Sequence, residues 1–146
     1  MLYPYNRKDF TDCVALFTAA FSAPPINFAF ITNEKARRYL GDIAQLPNFC
    51  AFVYGTPETL DAFCFGTIDD YFHSPQYVIK EFAVNPTLHG KGIGSQFLRE
   101  IETRLTEKGV TAISLQTSRT IPAFSFYKKN GFFESKETVT LMKLLI

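Results

Sequence analysis

An α/β fold built on a mixed sheet is what this sequence predicts: about seven twisted, largely antiparallel strands flanked by about four helices. Three observations lead there. Apolar residues recur at helical spacing in four stretches, and at period two or in short continuous runs in seven others. The strands of the first half are joined by turn-forming residues, as hairpins are. Further on, a strand passes through a glycine-rich turn into a helix and then into another strand, a crossover that sets two strands parallel. At 146 residues the chain suits a single domain, 1–146, with a hydrophobic core of its own.

The elements follow in order. Residues 2–5 read as an edge strand, since Pro4 bars a central place. Residues 8–21 form a helix with Phe10, Cys13, Val14, Phe17 and Phe21 on one face, broken by Ser22-Ala23-Pro24-Pro25. Thr32 or Asn33 caps a second helix that runs to Gln45 with Ala36, Tyr39, Leu40 and Ile43 inward. Residues 49–54 and 60–68 are strands around Gly55-Thr56-Pro57-Glu58, a hairpin. Residues 77–84 form the strand before the glycine-rich turn. Over 92–108, Ile93, Phe97, Ile101 and Leu105 make one helical stripe with Leu98 beside it, and Gly109 stops the helix. A strand at 112–117 comes next. A short helix then opens at Ile121-Pro122 and stops at Asn130-Gly131. Final strands at 132–136 and 138–144 complete the sheet.

Composition narrows the function classes. A net charge of +1 gives no electrostatic reason to expect a nucleic-acid or membrane partner. No apolar run reaches membrane-spanning length and no apolar leader opens the chain, so a cytoplasmic location is expected. Cys13, Cys50 and Cys64 are an odd set without a C-x-x-C pair, which points to reduced, buried thiols. His73 and His89 lie far apart, with no Cys or Glu at ligand spacing, so no metal is expected.

The chemistry is concentrated at residues 84–95, Val84-Asn85-Pro86-Thr87-Leu88-His89-Gly90-Lys91-Gly92-Ile93-Gly94-Ser95. Glycines at alternate positions let a backbone approach a ligand closely, and the free N–H groups of a helix start attract an anion. A P-loop needs Ser or Thr directly after Gly-Lys, where Gly92 stands instead. A dinucleotide fingerprint needs a third glycine where Ser95 stands, and needs the loop directly after the strand. His89-Gly90-Lys91-Gly92-Ile93-Gly94 resembles the Gln/Arg-x-x-Gly-x-Gly/Ala loop of the GNAT superfamily of N-acetyltransferases, with His89 departing from the usual first residue. The stretch Thr120-Ile121-Pro122-Ala123-Phe124-Ser125-Phe126-Tyr127-Lys128-Lys129-Asn130-Gly131-Phe132 resembles that family's second motif, Asn-x-x-Ala-x-x-apolar-Tyr-x-x-x-Gly-Phe, with Thr120 in place of Asn. The two motifs cover most of residues 76–136 in the family's order.

The resemblance implies a GNAT fold that binds acetyl-CoA and transfers its acetyl group to a primary amine by direct attack in a ternary complex. An amine is a good nucleophile, so no covalent enzyme intermediate is required. By resemblance, Phe82, Ala83 and Val84 pair with the pantetheine arm, and the Val84 N–H faces the developing oxyanion. Backbone N–H groups from His89 through Gly90, Lys91, Gly92, Ile93 and Gly94 to Ser95 hold the diphosphate. Thr120, Ala123, Phe124 and Tyr127 of the second motif complete the cofactor set, and Tyr127 is the general acid toward the sulfur. A buried core tyrosine is its bland counterpart. Glu81 stands where many family members carry the carboxylate that takes the amine proton. Period-two alternation sets it on the face of Ile79 and Ala83, opposite Phe82 and Val84. A salt bridge or an exposed sheet position explains Glu81 equally well, and Asp69, Asp70 and His73, in the loop between strands three and four, are its rivals.

The acceptor region of such a fold is the first two helices and their connection, here Phe21-Ser22-Ala23-Pro24-Pro25-Ile26-Asn27-Phe28. Phe21, Pro25 and Asn27 are the candidate walls, with Asp69, Asp70 and Glu81 attracting a cation. Phe-x-x-Pro-Pro-x-Asn, Glu-Phe-Ala-Val at 81–84 and Ser-Arg-Thr-Ile-Pro-Ala-Phe at 118–124 are similar to the aminoglycoside 6′-N-acetyltransferase branch. Peptide or protein acetylation, a non-catalytic acetyl-CoA sensor and a nucleotide-binding protein stay open as alternatives. A covalent route through Cys50 or Cys64 lacks a neighbouring histidine. The aromatic content is compatible with a homodimer.

Overall fold

The computed structural model describes all residues except 29–30 and 72–73. It divides into two compact units, Met1–Gln116 and Thr117–Ile146. In the first, β1 (Leu2–Pro4), β2 (Phe49–Gly55), β3 (Leu60–Tyr71), β4 (Ser74–Val84) and β5 (Ala112–Leu115) form one sheet in sequential order. The first three pairings are antiparallel and β4–β5 is parallel. Helices α1 (Phe10–Ser22), α2 (Asn33–Ala44) and α3 (Ile93–Glu107) belong to the same unit.

Two apolar faces explain the layers. On one, Cys13, Val14, Leu16 and Phe17 of α1 and Ala36, Leu40 and Ile43 of α2 cluster with Val53, Phe63, Phe65 and Ala83 of the sheet. On the other, the fully buried Phe97 of α3 lies 5.3 Å from the Tyr54 ring and stacks on Phe82 at 5.4 Å. Tyr54 and Phe82 neighbour Val53 and Ala83 in sequence, so alternation sends them to the opposite side. Thr32 caps α2 by accepting the Lys35 N–H at 3.2 Å.

One irregularity governs where β4 points its side chains. The β3–β4 ladder pairs Phe65 with Glu81 and then Gly66 with Ile79, skipping Lys80. Such a bulge inverts the alternation across it. Glu81 and Ala83 therefore share the α1–α2 side with Phe65 and Phe63. Ile79 and Tyr77, opposite Gly66 and Ile68, take the α3 side, so the expected grouping of Ile79 with Glu81 is corrected. Gly66 is obligatory there: a Cβ would lie 2.5 Å from the Val78 carbonyl oxygen and 2.6 Å from the Tyr77 ring.

Further corrections concern strand extent. β3 and β4 run to Tyr71 and from Ser74, so Asp69 and Asp70 lie in a strand rather than a loop. His73 falls outside the described residues. The expected seven strands are five: among the described residues none from 132 to 146 forms a strand. Alternating apolar residues make a strand only against a ladder partner, and the second unit contains no other strand. Its one helix, α4 (Pro122–Lys129), ends in a Schellman motif. Phe132 N–H reaches the Tyr127 carbonyl at 3.0 Å and Gly131 N–H the Lys128 carbonyl at 3.2 Å, with Gly131 at φ +91°.

Candidate active site

The turn between β4 and α3 is built by short-range bonds. The Asn85 side chain accepts the Thr87 N–H at 3.0 Å, and Leu88 N–H reaches the Asn85 carbonyl at 2.9 Å. His89 is drawn into this turn: its N–H reaches the Pro86 carbonyl and its Nε2 the Val84 carbonyl, both at 3.3 Å. Its backbone N–H is thus already used, unlike the expectation that it holds a ligand. Gly90 and Gly92 follow at φ +79° and +78°, and a Cβ on either would meet nothing within 4 Å. Glycine is required there by the left-handed backbone and leaves room for a ligand. Gln96 N–H closes the first turn of α3 onto Gly92 at 3.0 Å. The N–H groups of Ile93, Gly94 and Ser95 thus precede the first N–H bonded within the helix. No acidic residue stands in that turn, so the positive end of the helix is not neutralised.

Beside this loop, β4 outruns β5. Their ladder stops at Ile79 and Leu115, and β4 continues to Val84. Asn85 N–H bonds the Asp61 carbonyl at 2.8 Å. In an antiparallel ladder, hydrogen-bonded and non-bonded pairs alternate. The adjacent Ala62–Val84 pair is therefore of the non-bonded kind, and the Val84 N–H is directed away from β3.

Glu81, half-buried on the α1–α2 side, accepts a 2.6 Å hydrogen bond from the Tyr39 hydroxyl on α2. Burial raises the Glu81 carboxyl from 4.5 to about 7, against the lowering effect of the Tyr39 bond. The group is thus poised to exchange a proton near neutrality. The helical stripe places Tyr39 inward, yet it is 45% exposed. Its functional signal, a hydroxyl on an inward stripe facing a strand carboxylate, emerges only from the tertiary pairing.

The other candidates separate. Phe21 packs on Phe17 at 4.6 Å, whose ring lies 5.9 Å from Tyr39. Pro25 and Asn27 are exposed, the latter at φ 54°. Asp69 accepts from Asn48 at 2.7 Å and Thr67 at 2.9 Å, which marks it as a local brace, and Asp70 is exposed. In the second unit Thr120 is exposed, Ala123 is half-buried, Lys128 lies over the Phe124 ring at 5.7 Å, and Tyr127 is 8% exposed, 5.2 Å from Phe132. Cys13 and Cys64 are buried and Cys50 half-buried. Burial pushes all three thiols up, Cys64 to about 12, which suppresses the reactive thiolate. Among the described residues no cluster of His, Cys, Asp or Glu is placed to hold a metal, and no helix is long and apolar enough to cross a membrane. A groove of about 550 Å³ between α1, the β2–β3 turn and residues 85–88 contains none of the expected site residues.

The acetyltransferase (GNAT) family profile matches residues 14–132. The chain belongs to the GNAT acetyltransferase family. No curated protein sequence matches it. Solved GNAT-like structures do. A transcriptional regulator from Bacillus halodurans C-125 is 22% identical with a TM-score of 0.74, covering 98% of this chain and 99% of that one. An aminoglycoside acetyltransferase, meta-AAC0020, from an uncultured soil metagenomic sample, in complex with sisomicin, is 19% identical with a TM-score of 0.73, covering 100% and 96%. The aminoglycoside 6′-N-acetyltransferase AAC(6′)-IG from Acinetobacter haemolyticus is 12% identical with a TM-score of 0.73, covering 100% and 99%. At these identities the likeness is one of fold. GNAT membership implies acetyl-CoA as acetyl donor, and the glycine loop, with its open Cβ positions and helix-start N–H groups, fits a diphosphate.

Proposed function

We propose that this GNAT protein acetylates a primary amine of a small molecule by direct attack within a ternary complex, with residues 1–146 acting as one catalytic domain. Acetyl-CoA, when bound, supplies an activated thioester carbonyl. The main-chain N–H groups from Gly90 to Ser95 hold its diphosphate, and Lys91 adds positive charge. The stretch Phe82 to Val84, where β4 runs past β5, offers its backbone to the pantetheine arm. The Val84 N–H donates to the carbonyl oxygen as negative charge develops there. Glu81 takes the proton of the acceptor ammonium, freeing the lone pair that attacks. Tyr127 donates a proton to the departing sulfur, with Thr120, Ala123 and Phe124 lining the approach. Phe21, Pro25 and Asn27 wall the acceptor side, with Asp69 and Asp70 attracting its charge.

The observation that carries this reading is the pair of left-handed glycines whose missing side chains would occupy open space ahead of an unneutralised helix start. Calorimetry with acetyl-CoA should give a saturable heat. Thiol release should then follow with one member of a panel of simple amines, aminoglycosides and peptides, product masses identifying the acceptor. Absence of heat refutes the cofactor site. Heat without thiol release on any amine identifies a binding module instead.

A further inference from the structure

We propose that Tyr39 is a positioning residue: its hydroxyl, held on the face of α2, orients the Glu81 carboxylate and favours its ionised form, leaving the second carboxylate oxygen to the acceptor amine. This rests on the reading of Glu81 as the base. The contact joins residues 42 apart in sequence at 2.6 Å, the short end of an O–H···O bond and typical of a charged acceptor. The Tyr39 ring is braced by Phe17 at 5.9 Å, and Phe17 by Phe21 at 4.6 Å, so the hydroxyl is presented from a fixed wall.

The surroundings single out this hydroxyl. Across the ladder stands Phe65 and along the face Ala83, neither of them titratable. Among the described residues, the titratable neighbours of Glu81 are Tyr39 on α2 and, through the sheet on β3, the Cys64 thiol. Cys64 is neutral, its thiol raised to about 12. Tyr39 is itself held above its ordinary value by burial and by the bond to Glu81. Among the described residues no cation acts on the carboxylate. Desolvation alone would keep the group protonated at neutral pH and useless for taking a proton. The donated hydrogen bond pulls in the opposite direction, because it stabilises the carboxylate and not the acid.

The test is the titration of Glu81 in the full chain, followed by carboxyl-carbon NMR and assigned with Glu81→Gln. The wild-type midpoint should fall near about 7. In Tyr39→Phe, which keeps the ring and its packing, it should rise by about one pH unit, leaving about fivefold less carboxylate at neutral pH. A merely structural tyrosine would leave the midpoint where it is, and that result overturns the proposal. A second measurement needs no substitution. In chain labelled with fluorotyrosine, the Tyr39 fluorine resonance should move with the Glu81 midpoint, and a flat line across it also overturns the proposal. The acid limb of amine-dependent thiol release should follow the same shift. Should the midpoint move while no amine draws thiol from acetyl-CoA, the positioning stands and the acetyl-transfer reading falls.

Discussion

Glu81 makes the stability of this protein depend on pH in an unusual direction. Its carboxyl stands at 4.5 ordinarily and at about 7 in the fold. A folded state that holds the proton more tightly than the unfolded one is favoured while both are protonated, below about 4.5. Between 4.5 and about 7 the unfolded chain ionises first, so this stabilisation is lost as pH rises, and above about 7 the loss is complete. At about 1.36 kcal/mol per pH unit, the gap amounts to about 3 kcal/mol. That is a large share of the roughly 5–15 kcal/mol typical of a domain. Glu81→Gln removes the titration while retaining an oxygen that accepts from Tyr39. Urea unfolding, followed by circular dichroism since the chain has no tryptophan, should be run on both proteins across this range. Other carboxylates titrate too, and subtracting the variant cancels them. The stability difference, wild type minus variant, should fall by about 3 kcal/mol between pH 4.5 and pH 8. A flat difference would mean that Glu81 is not desolvated. A rising one would mean that it is held by a cation, and either refutes the reasoning.

Gly92→Ala places a Cβ in open space but at φ +78°, so stability should drop by only about 1 kcal/mol while calorimetric affinity for acetyl-CoA falls at least about tenfold; unchanged affinity would move the diphosphate elsewhere. Gly66→Ala drives a methyl against the Val78 carbonyl and Tyr77 and should cost about 3 kcal/mol or more in urea unfolding. Tyr127→Phe should lower kcat by about a hundredfold or more with unchanged helical circular dichroism, and undiminished turnover would return Tyr127 to a packing role.

What the sequence disclosed follows from how local each determinant is. The stripe of Phe97, Leu98, Ile101 and Leu105, all buried, is fixed by helical period alone. Thr32 as a cap, the stop at Asn130-Gly131 and the glycines of the turn between β4 and α3 depend on a few consecutive residues, and each is legible. The skip at Lys80 was not, because nothing in the residues 77–84 marks where a neighbouring strand will lose register. Alternation in 138–144 suggested a strand without supplying the partner it needs. His89 reads as a backbone donor to a ligand, whereas Pro86 and Val84, three and five residues back, offer carbonyls to its N–H and its ring. Tyr39 shows the same limit: its helical position fits the core stripe, and only the meeting of α2 with β4 gives the hydroxyl its partner.

The bulge ties these observations into one device. With unbroken alternation Tyr77 and Ile79 would share the face of Glu81, and the carboxylate would continue an apolar row. Skipping Lys80 sends Tyr77 and Ile79 into the α3 layer, where Tyr77 is fully buried and its hydroxyl donates to the Cys50 carbonyl at 2.8 Å. The next four residues are then free to follow a different pattern. The skip comes one residue after the last β4–β5 pair, so β4 changes face where it leaves its parallel neighbour. Bulged strands bend and twist more strongly, which suits a strand that must part from β5. Beyond that point one side carries Glu81 toward Tyr39, while the edge directs the Val84 N–H away from β3. A half-buried carboxylate destabilises the fold at neutral pH, and a sequence shaped for stability alone would place an apolar residue there. Its placement three residues before the end of an outrunning strand edge that leads into the glycine loop is the arrangement that the proposed base, oxyanion donor and phosphate grip require along a single strand.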